Sequence, residues 1–230
     1  MILRSIVFNF LFYFTILFFG ILFLPLLVSR KLTRLAVRFW SNLIIYFLEN
    51  LVGANIDFEN NYIYKNEGYL IAANHQSAFD TIFFLRQFDK VVYVVKKELM
   101  YLPIYGWYAI RLGNIFIDRK ERVKSLKNLS ESVKLALHKK YKVIIFPEGT
   151  RQIENKIGIM KPGIFLMQQF CKTSVYPAYI NSLQVWPKKS FLKKATEIRV
   201  KILKPIKYSR DKKKFLKTLE DKIKNEHNKN

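Results

Sequence analysis

The sequence predicts an α/β domain with a mainly parallel sheet flanked by helices, preceded by an N-terminal membrane helix and an amphipathic helix. Three observations carry that expectation. From Asn55 onward, short continuous apolar runs alternate with helical patterns, the arrangement in which parallel strands are buried beneath crossover helices. Ahead of them, no charged residue stands between Arg4 and Arg30. Half of the 230 residues are hydrophobic although the formal net charge is +23, so the chain has apolar material for a core, which disordered polyelectrolytes lack.

Residues 6–28 read IVFNFLFYFTILFFGILFLPLLV; at about 1.5 Å per residue this run reaches roughly 35 Å, against about 30 Å for a hydrocarbon core. The following LLVSRKLTR offers no small-residue cleavage site, which argues against a signal peptide. Gly20 and Pro25 permit a kink, so a spanning helix and a re-entrant hairpin both fit. Arg30, Lys31, Arg34 and Arg38 after the run outnumber Arg4 before it, which places the downstream domain on the cytoplasmic side of the membrane. Residues 32–51 set Leu32, Leu35, Phe39, Leu43, Ile44 and Phe47 near one stripe. That is an amphipathic helix, packed on a core or lying partly in the interface with Trp40 and Tyr46 at headgroup depth. Residues 1–52 thus read as an anchor and residues 53–230 as the folded domain.

Strands are expected at residues 69–74 (YLIAAN), 91–95 (VVYVV), 114–117 (NIFI), 143–146 (VIIF), 175–180 (VYPAYI) and 197–203 (EIRVKIL). Helices are expected at 81–87, 122–139, 162–171 and 211–225. One cysteine, Cys171, excludes a disulfide framework, and with only His75, His138 and His227 no metal site is expected.

Chemistry concentrates where the strands end. After the first confident strand stands Asn74-His75-Gln76-Ser77-Ala78-Phe79-Asp80. A turn there can fold Asp80 back onto the imidazole, fixing its tautomer and leaving the other nitrogen as a base; alternatively, Asp80 caps a helix. After VIIF comes Pro147-Glu148-Gly149-Thr150-Arg151, where a guanidinium suits a phosphate or carboxylate, unless Glu148 and Arg151 simply pair. Lys96 and Lys97 close one strand, and Asp118 and Arg119 close another, with solvated surface charge as the alternative.

In this order, NHQSAFD, GNIFIDR, FPEGTR and VYPAYI resemble the four motif blocks of the bacterial-type 1-acyl-glycerol-3-phosphate acyltransferases. The resemblance covers about half the chain. It implies a glycerolphosphate acyltransferase-like fold and an enzyme that acylates lysophosphatidic acid at the sn-2 hydroxyl to give phosphatidic acid. The family's His-x4-Asp falls on His75 and Asp80 as the catalytic pair. Its substrate-binding positions fall on Lys96, Arg119, Glu148, Gly149, Thr150 and Arg151. An oxyanion in the tetrahedral state needs donors, for which backbone N–H groups near Gln76–Ser77 or Gly149 are the candidates. Met160 departs from the family's Phe-Lys-x-Gly and bears on pocket shape. No cofactor is implied; acyl-coenzyme A or acyl-acyl carrier protein is the co-substrate, and membrane phospholipids are partners at the cytoplasmic (inner) membrane.

Two alternatives stand beside this. An acyltransferase for another acceptor, glycerol 3-phosphate or a different lyso-lipid, would share the motifs. A membrane-anchored nucleic-acid binder would account for the net +11 of residues 183–230 but needs neither His75–Asp80 nor FPEGTR. The expected partners therefore include no nucleic acid.

Overall fold

The computed structural model describes residues 1–118 and 124–229, so Arg119 lies outside the described residues. Among the described residues there are seven strands: β1 (Asn55–Asn60), β2 (Tyr69–Ala73), β3 (Val91–Lys96), β4 (Ile115–Ile117), β5 (Lys142–Ile145), β6 (Val175–Ile180) and β7 (Glu197–Ile202). They form one sheet in the order β1-β7-β6-β2-β5-β3-β4. Strands β2 to β6 run parallel; β7 is antiparallel to β6, and β1 is parallel to β7.

Central β2 is buried throughout, because helices cover both faces. Ile71 and Ala73 enter one core with Phe79, Phe83, Ile44, Ile45, Leu48 and Phe8. Leu70 and Ala72 enter the other with Leu129, Val133, Ile164, Met167, Phe215 and Leu219, as the two-residue period of a strand requires. The first layer is α1 (Ile2–Leu22), α2 (Arg30–Phe47) and α3 (Phe79–Gln87); the second is α5 (Lys124–His138), α6 (Gly163–Cys171) and α7 (Lys212–His227). Helix α4 (Tyr105–Leu112) precedes β4. Because Phe8, Ile44, Ile45 and Leu48 are fully buried against the sheet, the N-terminal helices share its core.

Two elements depart from expectation. Strand β1 (NIDFEN) alternates half-buried and polar positions at the sheet edge, where Asp57 and Glu59 pair with Arg199 (3.7 Å) and Lys201 (2.7 Å) of β7. Opposite charges across a ladder favour the register, and charge blunts the edge. Helix α4 arises from an aromatic stretch with no polar period.

The apolar N-terminal run also divides. Helix α1 stops at Leu22, a 3-10 turn spans Leu24–Val28, and Ser29 caps α2 by accepting from Lys31 N–H at 3.3 Å. Pro25 has no N–H and disfavours the helical region at the residue before it, which ends α1 here. Both Ile2–Leu22 and the continuous helical stretch Arg30–Val52 are long and apolar enough to cross a membrane. Their outward residues are large and apolar, including Phe10, Phe14, Leu17, Phe18, Leu35 and Phe39, whereas Ser5, Thr15, Gly20, Thr33, Ala36 and Ser41 face inward. Of the stripe expected on residues 32–51, Ile44 is in the core while Leu32, Leu35 and Phe39 point outward. Small and hydroxyl residues inside with bulky ones outside is how helices pack in lipid.

Helix α1 lies across the edge where the parallel strands end. Its Ser5 Oγ accepts from Lys193 N–H (2.9 Å) and Phe8 meets Trp186 edge-on, both beyond β6, while Gly20 abuts Ile104, beyond β3.

Candidate active site

The C-terminal ends of β2, β3, β5 and β6 meet at that edge, the position at which open α/β sheets hold ligands. Asn74 extends the β2–β6 ladder with its side chain: Nδ2 donates to Ile180 O (2.7 Å) and Oδ1 accepts from Ile180 N–H (2.8 Å). This substitution frees the following backbone to turn into α3. Asp80, fully buried in the first turn of α3, collects the turn around itself. Its Oδ2 accepts from His75 Nδ1 (2.7 Å), Gln76 N–H (2.7 Å) and Ser77 N–H (2.9 Å), and its Oδ1 accepts from Ser182 Oγ. Four donors offset the desolvation of a buried carboxylate.

With Nδ1–H directed at a carboxylate, the network assigns His75 the tautomer whose Nε2 is an acceptor. The imidazole stacks on Phe146 (centroids 3.9 Å apart, 15° between planes), and Tyr93 stacks behind Phe146. The ring therefore has packing on one face and a carboxylate at one nitrogen, and Arg151 Nε lies 3.4 Å from the other.

Arg151 comes from the segment after β5. Gly149 N–H closes a turn onto Phe146 O (2.9 Å) with Gly149 at φ +73°, a conformation that side chains with a Cβ resist. Glu148 is buried, its Oε1 accepting from His75 N–H (2.9 Å) and its Oε2 from Gly158 N–H (3.1 Å). Gln152 N–H in turn donates to His75 O (2.8 Å). Burial pushes the Glu148 carboxyl up to about 7, against the opposing pull of these donors. Glu148 thus faces the protein, holding the histidine backbone, and neither forms the anticipated pair with Arg151 nor points at open space. Thr150 is exposed.

Lys96 is exposed at the end of β3, while Lys97 pairs with Asp118 at 3.2 Å. In the GNIFIDR block, Asn114 Oδ1 accepts from Tyr93 N–H (3.0 Å), tying β4 to β3. Met160 is buried in the core beneath α6. The N–H groups of Gln76 and Ser77 go to Asp80, and that of Gly149 to Phe146, so all three anticipated oxyanion donors are engaged by the protein. Gln76 Nε2 is buried with no hydrogen-bond partner.

Two further residues belong to the site. Ser182, 102 positions from Asp80, supports its carboxylate. Lys188 Nζ donates to Arg151 O at 3.0 Å. No local pattern marks either, since each contact is made across loops distant in sequence.

A base-ready imidazole beside a guanidinium can take a proton from a hydroxyl whose neighbouring group is anionic. The comparisons with known proteins agree with that chemistry. The chain is 30% identical over 178 residues to a 1-acyl-sn-glycerol-3-phosphate acyltransferase of Pseudomonas aeruginosa, covering 77% of this chain and 69% of that protein. It is 33% identical over 143 residues to the Saccharomyces cerevisiae protein of the same name, covering 60% of this chain but only 47% of the yeast protein. The crystal structure of the 1-acyl-sn-glycerophosphate acyltransferase PlsC from Thermotoga maritima superposes with a TM-score of 0.80 at 21% identity, over 99% of this chain and 94% of that one, which establishes the shared fold. The family model described as Acyltransferase matches residues 55–181, from β1 through the end of β6, and the chain belongs to that family.

Proposed function

We propose that this protein transfers an acyl chain from an acyl thioester to the sn-2 hydroxyl of 1-acyl-glycerol 3-phosphate, forming phosphatidic acid. The observation that carries the proposal is the 3.4 Å approach of Arg151 Nε to His75 Nε2. In this acceptor the reacting hydroxyl and the phosphoester sit on adjacent carbons, so the base and the phosphate-binding cation must be near neighbours. The named relatives act on the same acceptor.

In the proposed reaction, His75 Nε2 takes the hydroxyl proton as the oxygen attacks the thioester carbonyl carbon. Asp80 holds the imidazolium that forms. The tetrahedral intermediate collapses with loss of the C–S bond, and the proton passes to the departing thiolate. Arg151 binds the phosphate, and exposed Lys96 and Thr150 stand at the same edge to assist. Glu148 and Gly149 act through the shape of the loop rather than by touching substrate, and Arg119 is assigned to the phosphate from its motif alone. Direct transfer is favoured over an acyl-enzyme: Cys171 lies in α6 with its thiol pushed up by burial, and the sequence has no G-x-S-x-G elbow.

The thioester is carried by coenzyme A or acyl carrier protein. The helices α1 and α2 hold the site at the membrane where the acceptor resides, with the domain on the cytoplasmic face as the cations after α1 imply. The test is His75→Ala in purified membranes given labelled acyl thioesters and a panel of lyso-acceptors. Loss of about 10²–10⁴ in rate is expected; activity within a few-fold of wild type excludes the mechanism, and preference for an acceptor lacking the phosphate excludes the substrate.

A further inference from the structure

We propose that residues 99–110, distinct from α1 and α2, form a second membrane-contacting element that sets the rim of the active site at headgroup depth. The stretch LMYLPIYGWYAI carries no charge between Glu98 and Arg111. It comprises the end of a 3-10 turn and most of α4. Instead of burying its aromatic and apolar side chains, it displays Tyr101, Leu102, Tyr105, Trp107 and Ile110, with Tyr101 72% exposed.

The segment is fastened to α1. Ile104 sits at φ +62°, ψ −65°, and Tyr105 N–H donates to Pro103 O at 2.6 Å; this tight three-residue turn is rare, and strained for a β-branched residue. Strain of this kind persists only where surrounding contacts impose it, and the contact here is α1. A Cβ placed on Gly20 would stand 2.5 Å from Ile104 Cγ2, so any larger residue there would displace the isoleucine. Tyr108 Oη donates to Gly20 O at 3.1 Å, and the Arg111 guanidinium bonds Val28 O.

The displayed residues therefore continue the apolar surface formed by Leu17, Phe18, Ile21, Leu22 and Val28, all exposed at the end of α1 and the turn after it. Tyrosine and tryptophan favour the interface, with an apolar ring and a polar edge. A bilayer meeting the end of α1 meets this segment too. The segment follows directly on β3, whose last residue, Lys96, caps the 3-10 turn, which joins this surface to the sheet edge that holds the site. That this rim serves the acceptor lipid rests on the proposed acyl transfer; its contact with lipid does not.

The experiment places full-length Trp40→Phe/Trp186→Phe, in which Trp107 is the one remaining tryptophan, in vesicles of phosphatidylcholine and phosphatidylglycerol, with or without bromine at a shallow acyl position. Bromine should quench most of its emission, because Trp107 reports from the bilayer. Emission unchanged by bromine overturns the proposal and leaves the surface to a protein partner or a second copy. A second measurement uses Trp107→Glu, checked for native secondary structure by circular dichroism. Turnover of a vesicle-borne acceptor should fall about tenfold while that of a dispersed short-chain acceptor stays within about twofold; an equal change in both also overturns it. Failure of all acyl transfer with preserved quenching would count against the assigned reaction alone.

Discussion

Arg151 Nε stands 3.4 Å from His75 Nε2, while Asp80 Oδ2 holds Nδ1 of the same ring at 2.7 Å. The imidazole is thus bracketed by a carboxylate and a guanidinium, and the guanidinium occupies the approach to the nitrogen that would accept a proton. In the proposed reaction, a bound phosphate would draw Arg151 to itself and bring the neighbouring hydroxyl to that nitrogen. Substrate binding and exposure of the base would then be one event.

Arg151→Lys tests this coupling. A lysine keeps the charge but loses the planar fork that pairs two N–H groups with two phosphate oxygens. KM for the acceptor should rise about 10- to 100-fold, the loss expected for hydrogen bonds to a charged group, with kcat changed much less. Steady-state kinetics with the acceptor varied at saturating thioester reads the split; a fall confined to kcat would contradict a binding role.

Ser182 is the least conspicuous member of the site. Removing its hydroxyl in Ser182→Ala leaves Asp80 Oδ1 buried and one donor short, a defect of about 1–3 kcal/mol. We expect kcat to fall about tenfold through looser orientation of His75, with the pH–rate profile displaced because the carboxylate facing the imidazole has changed its bonding. Ser182→Thr should restore most of both. A variant with wild-type kcat and an unmoved profile would remove Ser182 from the site.

The central strands and the His75–Asp80 turn are legible in the sequence because local patterns encode them: VIIF and YLIAA are continuous apolar runs, and Asp80 is only five residues from His75. The remaining elements depend on distant partners. Strand β1 has one apolar face of two residues, Ile56 and Phe58, and becomes a strand because β7 lies beside it. Helix α4 is held by packing on α2 and, through the Tyr108 hydroxyl, by α1, and Ile104 would not be predicted in a positive-φ turn without Gly20 against it. The apolar run leaves a spanning helix and a kinked hairpin both open, since hydropathy does not fix a turn; the break after Leu22 comes at the 3-10 turn that contains Pro25. Glu148 reads as a substrate-binding position through the resemblance, and that its carboxylate accepts from the N–H groups of His75 and Gly158 is visible only in three dimensions.

That carboxyl makes a pH prediction. Glu148 is raised from an ordinary 4.5 to about 7 by burial, so between those values the folded protein binds more protons than the unfolded chain. Stability linked to this group is full below pH 4.5, is lost as pH rises through about 7, and is constant above it. Glu148→Gln cannot titrate. The wild type should therefore lose about 3 kcal/mol relative to the variant between pH 4.5 and pH 7.5, read from denaturation midpoints of both proteins in one detergent. A gap independent of pH would show that the carboxyl titrates alike in the folded and unfolded chain, and would remove the shift.

The pairing of β1 with β7 has a consequence in time. Asn55 and Glu197 are neighbours in the sheet but lie about 140 residues apart along the chain, of the order of ten seconds of synthesis at about 5–20 residues per second. Helices α1 and α2 leave the ribosome well before the strand that completes that edge. The greasy hairpin can find its bilayer while the sheet is still open, and the enzyme closes around a site already moored where it will work.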